Sequence, residues 1–184
     1  MKTRRWWHTF AMVAVLALIP VLAACQSGPA AAPAQPTAAP QAENLFLMVD
    51  MVQGSKNVPQ DQKALKSCVL TSRFPRNSEI VWRARVFDPR TGELMDDKAL
   101  SKVEVQLANG ETLEMGYGHH PKDPPGEAFW TASWVVPKDQ ATGTLNYSVV
   151  ATSADSRSGE FKPFSTKPSL LTITDEVLPD VTEG

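Results

Sequence analysis

An all-β domain, a sandwich of about eight short strands, is what this sequence predicts, and three observations predict it. Apolar and polar side chains alternate with period two in several segments between Leu45 and Ile173, as they do in strands that bury one face. Helical spacing is weak, with short candidates only at Gln60 to Lys66 and Asp96 to Leu100. Turn residues such as Asn109-Gly110, Pro137 and Gly143 separate the alternating segments at short intervals, which is the rhythm of a sandwich rather than of βαβ units.

Leu45 to Val52 and Cys68 to Phe74 open the series. The clearest strand is Ile80 to Phe87, where Ile80, Trp82, Ala84 and Val86 share one face while Arg83 and Arg85 share the other, a face expected to be wet. Val103, Val105 and Leu107 alternate with Glu104 and Gln106 and run into Asn109-Gly110. That dipeptide signals a hairpin, because both residues tolerate positive φ, and the return strand covers Thr112 to Tyr117. Phe129 to Val136 and Leu145 to Thr152 follow, separated by the polar stretch 137–143, and Gly159 to Phe161 and Ser169 to Ile173 complete the set. The alternation selects Trp82, Val86, Val103, Val105, Leu107, Trp134, Leu145, Tyr147, Val149 and Leu171 as the core between two sheets.

Ahead of this domain, Lys2, Arg4 and Arg5 precede an almost wholly apolar run, residues 10–24, that ends in Val21-Leu22-Ala23-Ala24-Cys25. A basic start, an apolar centre and small residues before a cleavage point make a secretory leader. The run of about fifteen residues is shorter than the roughly 20 a spanning helix needs. Leu22-Ala23-Ala24-Cys25 resembles the lipobox of bacterial lipoproteins. The resemblance implies that the Cys25 thiol is acylated, that the chain is cut just before it, and that the mature protein is held at a bacterial cell membrane, facing the periplasm or the exterior. Two or more acyl chains anchor stably where one does not.

The expected organisation is therefore a signal peptide over 1–24, Cys25 and a Pro/Ala-rich linker over 25–42, one domain over 43–174, and an acidic, frayed tail over 175–184. Residues 26–42 contain only Ala, Pro, Gln, Ser, Gly and Thr. Such a chain is extended at roughly 3.1 Å per residue, so the tether reaches on the order of 50 Å. The tail carries Asp175, Glu176, Asp180 and Glu183 with Pro179. The whole chain has 18 Lys and Arg against 20 Asp and Glu, and the leader takes three of the bases with it. The mildly acidic remainder has no electrostatic footprint for nucleic acid. With Cys25 committed to lipid, Cys68 stands alone, so no disulfide forms within the mature monomer and the fold rests on its core. Cys68, within Ser67 to Thr71, reads as a small buried apolar residue of a strand.

Two segments carry a resemblance that bears on the fold. Phe74 to Asp88, followed by Thr91-Gly92-Glu93, is similar to the strand-turn-strand entry of bacterial immunoglobulin-like and macroglobulin-type modules. Gly143 to Thr152 resembles their late strand, in which a tyrosine near the strand start, here Tyr147, hydrogen-bonds back to the corner before it. The resemblance spans most of Phe74 to Ile173 and implies an immunoglobulin-like sandwich, without the paired core cysteines of antibody domains. It implies a fold and not an activity.

Chemistry is sparse. The sequence has no Gly-rich phosphate loop, Cys-x-x-Cys pair, Gly-x-Ser-x-Gly elbow or His-Glu-x-x-His run. His119 or His120 could serve as a base with Asp88, Asp123 or Asp155 behind it, but nothing ranks one pairing above another. No catalytic residue or cofactor is assigned. The segment Met115 to Gly126 stands out for its glycines, prolines and paired histidines. Tyr117, His119, His120 and Trp130 are the candidates for a partner-binding surface. Met115, His119 and His120 are the candidate ligands for copper or a similar metal, although neighbouring residues on extended chain point opposite ways. Phe129 lies on the face opposite Trp130 and Trp134 and is expected to be covered by the 115–126 segment or else to join an exposed patch; Lys162-Pro163-Phe164 is a second possible cover. The expected function is a lipid-anchored envelope protein that binds a protein partner. A metal-handling or redox-accessory domain and a passive structural subunit are the alternatives.

Overall fold

The computed structural model describes residues 44–181. The leader, Cys25 and the linker lie outside the described residues.

Two antiparallel sheets of four strands face each other. One runs β1 (Phe46–Gln53), β3 (Glu79–Phe87), β7 (Glu127–Val135), β6 (Gly116–His120), and the other β10 (Ser158–Phe161), β9 (Tyr147–Ser153), β4 (Leu100–Leu107), β5 (Thr112–Glu114). A smaller sheet, β2 (Arg73–Arg76), β11 (Thr172–Val177) and β8 (Gly143–Thr144), joins the connections at one end, with β2 and β11 parallel. With the small sheet and the edge strand β5 set aside, the first, second, fifth and fourth main strands form one sheet while the seventh, sixth and third form the other. That is the strand order of an immunoglobulin-like sandwich with one added edge strand.

The core follows the alternation. Ile80, Trp82, Ala84 and Val86 are fully buried, and so are Val105, Val149 and Leu171. All ten residues selected from sequence lie in the core cluster. Tyr147 packs its ring edge-on to Trp82, with centroids 5.8 Å apart.

Four local expectations are corrected. Cys68 is exposed, not buried in a strand, and sits at φ 61°. Ser67 caps a single helical turn, α1 (Lys63–Lys66), and the chain then swings back so that residues 68–71 lie along β1. Asp96 to Leu100 is a turn and not a helix, because the Asp96 carboxylate accepts the Lys98 and Ala99 amides at 3.0 and 3.1 Å. In the Asn109-Gly110 hairpin only Gly110 takes positive φ, 94°. The Gly110 amide donates to the Leu107 carbonyl and that of Leu107 to Glu111, so the loop holds three residues with glycine in the left-handed position. Lastly, the acidic tail is fastened through Asp180. β11 continues to Val177, and the Asn77 amide nitrogen donates to the Leu178 carbonyl at 2.8 Å and to Asp180 at 3.0 Å.

Candidate functional site

Of the 115–126 segment only residues 121–126 form the loop that its composition suggests; Gly116–His120 is the edge strand β6. Met115 is 3% exposed and belongs to the core. It is the point where the chain leaves β5 in one sheet and enters β6 in the other, and its amide donates to the Val103 carbonyl at 2.9 Å. Its thioether is therefore core packing and is not available as a metal ligand at the surface. His119 and His120 are consecutive residues of β6 and so face opposite sides. His119 Nδ1–H donates to the Gly126 carbonyl at 2.7 Å, while the His120 ring approaches Phe129 at 6.5 Å. Met115, His119 and His120 thus do not converge. Among the described residues no group of three His, Cys, Asp or Glu side chains is placed to hold a metal ion.

The proposed contact residues separate in the same way. Trp130 is buried, and its indole N–H donates to the Met95 carbonyl at 3.1 Å. Tyr117 leans on it with centroids 5.2 Å apart, half-buried, and burial together with Asp96 and Asp97 raises the Tyr117 phenol above its ordinary pKa. Only His119 and His120 of that set are surface residues.

Phe129 is buried too, chiefly under the arginine face of β3. The Arg83 and Arg85 guanidinium groups lie over its ring at 5.0 and 4.7 Å. Arg83 is held by the Asp50 carboxylate at 2.7 and 2.9 Å, and Arg85 pairs with Glu127. This hydrogen-bonded partner raises the Arg83 pKa, with smaller contributions from Cys68 and Glu127. The arginine face expected to be wet is half covered by its own ion pairs. The outer aromatic is hidden by cations rather than left as a patch.

The apolar surface lies elsewhere. Phe164 is 77% exposed and Leu70 64%. Both line one groove of about 700 Å³ on the side of the sandwich where β1 and β10 are the sheet edges. At its narrow end the edges touch: the Leu45 amide donates to the Ser158 carbonyl at 3.0 Å, and a Cβ on Gly159 would lie 2.4 Å from the Leu45 carbonyl oxygen. β10 then ends at Phe161, opposite Val149, and Pro163 cannot continue the ladder. Past that point Val49 and Met51 form one wall, Tyr147 and Phe161 the other, with Pro163, Phe164 and Pro168 arching alongside. Lys162-Pro163-Phe164 therefore frames a groove and covers no aromatic of β7. Burial raises the Tyr147 phenol well above its ordinary pKa, with Asp50 adding to the effect, so at neutral pH the wall presents a neutral hydroxyl. Sequence alone hinted at this site only through Phe164, one large apolar residue in the otherwise polar run Lys162 to Ser169.

Comparison with protein-family models, with curated proteins and with solved structures returns no match for this chain.

Proposed function

We propose that the protein is a lipid-anchored bacterial envelope protein whose immunoglobulin-like domain binds a protein partner, with the groove beside β1 as the contact surface. The anchor reading is supported by the lipobox-like Leu22-Ala23-Ala24-Cys25, and the Pro/Ala run after it suits a spacer between membrane and domain. The observation that carries the binding reading is the pair Leu70 and Phe164. Two large apolar side chains, both more than half exposed, line one and the same groove. Contiguous exposed apolar surface on a soluble domain marks an interaction site.

The experiment places a photo-crosslinking amino acid at position 164 of the full-length protein in native membranes. A discrete adduct, absent when the probe sits at Glu160 on β10, is expected. Adducts that are equal at both positions, or none at either, would favour a passive structural subunit. The anchor is tested separately: Cys25→Ser should accumulate uncut precursor without radiolabelled fatty acid, and undiminished labelling would refute acylation at Cys25.

A further inference from the structure

We infer that the groove takes an extended peptide segment, added as a strand to the free edge of β1, with apolar side chains at alternate positions and a carboxylate set against Arg73. This rests on the binding reading above and specifies its ligand.

The backbone supplies the first argument. Odd-numbered residues of β1 turn their amides and carbonyls away from β3. Leu45 N–H donates to Ser158, Gln53 N–H donates to Val69 at 3.0 Å, Gln53 C=O accepts from Cys68 at 2.8 Å, and Met51 C=O accepts from Thr71 at 3.2 Å. Between these two attachments the outward amides and carbonyls of Leu47 and Val49 have no hydrogen bond among the described residues. A row of unpaired donors and acceptors on a strand edge is a template for another strand. The molecule already uses this edge in that way, since its own residues 68–71 lie along the far end of β1 with an antiparallel bridge between Leu70 and Val52.

The walls supply the second. Because β10 stops at Phe161, Tyr147 at the start of β9 is paired with β4 on one side only, is open on the β10 side, and faces the same groove as Val49. A strand between the two edges would turn every second side chain toward Tyr147, Phe161 and Phe164. That period of two sets the apolar spacing of the ligand.

Charge supplies the third. Asp50, on the β1 wall, is neutralised by Arg83. Arg73 also lines the groove, is exposed, and forms no ion pair among the described residues. The uncompensated charge of the site is therefore positive, and it complements an acidic side chain or a chain-terminal carboxylate.

Selection of a random peptide library on the full-length protein in detergent micelles tests this. The enriched peptides should alternate apolar with polar residues and carry a carboxylate. Their affinity should fall about tenfold or more on Arg73→Glu and on N-methylation of alternate peptide amides. The Leu47 and Val49 amides should exchange hydrogen quickly in the free protein and slowly in the complex. A consensus of helical period, peptides indifferent to both changes, or unprotected Leu47 and Val49 amides would overturn strand addition. If no peptide is enriched while the crosslink at position 164 persists, the strand model falls and the binding reading stands. Loss of the crosslink as well removes both.

Discussion

The two open sides of the sandwich are closed by different means. On one side a single chain passes from β5 through Met115 into β6, so the two sheets are joined covalently, and the Met115 N–H donates a hydrogen bond to the Val103 carbonyl. On the other side β1 and β10 meet only near Leu45 and Ser158 and then part, because β10 is four residues long while β1 is eight. The contrast separates structure from function. Where the chain itself crosses, the edges are packed shut, and Met115 and Trp130, which looked functional, are core. Where pairing stops, backbone and aromatic surface remain for a partner.

The comparison breaks most visibly at Met115. Met115→Ala leaves a cavity at the crossing and should cost about 2–5 kcal/mol of folding stability, read from denaturant unfolding. A loss under about 0.5 kcal/mol would mean that the crossing is not a packed part of the core. On the opposite side, Gly159→Ala forces backbone apart, since the new Cβ would sit 2.4 Å from the Leu45 carbonyl oxygen and 2.7 Å from the Leu47 side chain. A loss of about 1–3 kcal/mol is expected, together with faster hydrogen exchange at the Leu45 amide. Unchanged exchange there would show that the two edges do not depend on this contact.

At the end of the sandwich that carries Leu45, the connection after β3 is clasped to the β9–β10 turn by charge. Asp88 accepts from Arg90 and from Arg157, each at 2.9 Å, and Arg157 is also held by Asp155 at 2.8 Å. The Arg90 and then the Arg157 hydrogen bonds hold the Asp88 carboxyl well below the usual carboxylate range. A carboxylate whose pKa is lowered by folding contributes stability above its unfolded pKa, about 3.9, and loses that contribution as pH falls through the lower folded value. The clasp should therefore stay closed at pH 4 and open only in stronger acid, followed through the Arg157 side-chain resonances. Asp88→Asn should abolish that acid transition, and a clasp that opens near pH 4 in the unaltered protein would contradict the pairing.

The two sides also differ in how plainly the sequence announces them. Strand periodicity needs only local alternation, so β3, β4 and β9 and their buried faces were readable from Ile80, Val103 and Val149 onward. The candidate site was not. Whether Met115 is a ligand or a core residue depends on a change of sheet that no local pattern encodes. Aromatic residues on both faces of β7 leave one face in need of cover; Phe129 takes that cover from Arg83 and Arg85 on a neighbouring strand, while Trp130 lies in the core with its indole bonded to Met95. Cys68 read as strand because Val69 to Thr71 are good strand formers; the helical turn at Lys63–Lys66 instead places it in a left-handed turn. The groove is a property of where β10 ends, ahead of Pro163, and of its lying opposite β1, a strand of the other sheet that is distant in sequence.

The smallest stability effect belongs to the residue with the largest functional one. Phe164 is 77% exposed, so truncating it removes little apolar area from the folded interior. Phe164→Ala should leave unfolding within about ±0.5 kcal/mol of the unaltered protein. The same change strips the groove of its most accessible aromatic and should weaken the selected peptides by about tenfold, because large aromatic side chains carry a disproportionate share of interface energy. A variant that loses stability and binding together would show that Phe164 supports the arch around the groove instead of meeting the partner. One that loses neither would place the contact surface elsewhere, and the side of the sandwich left open by β10 would then be an unused edge.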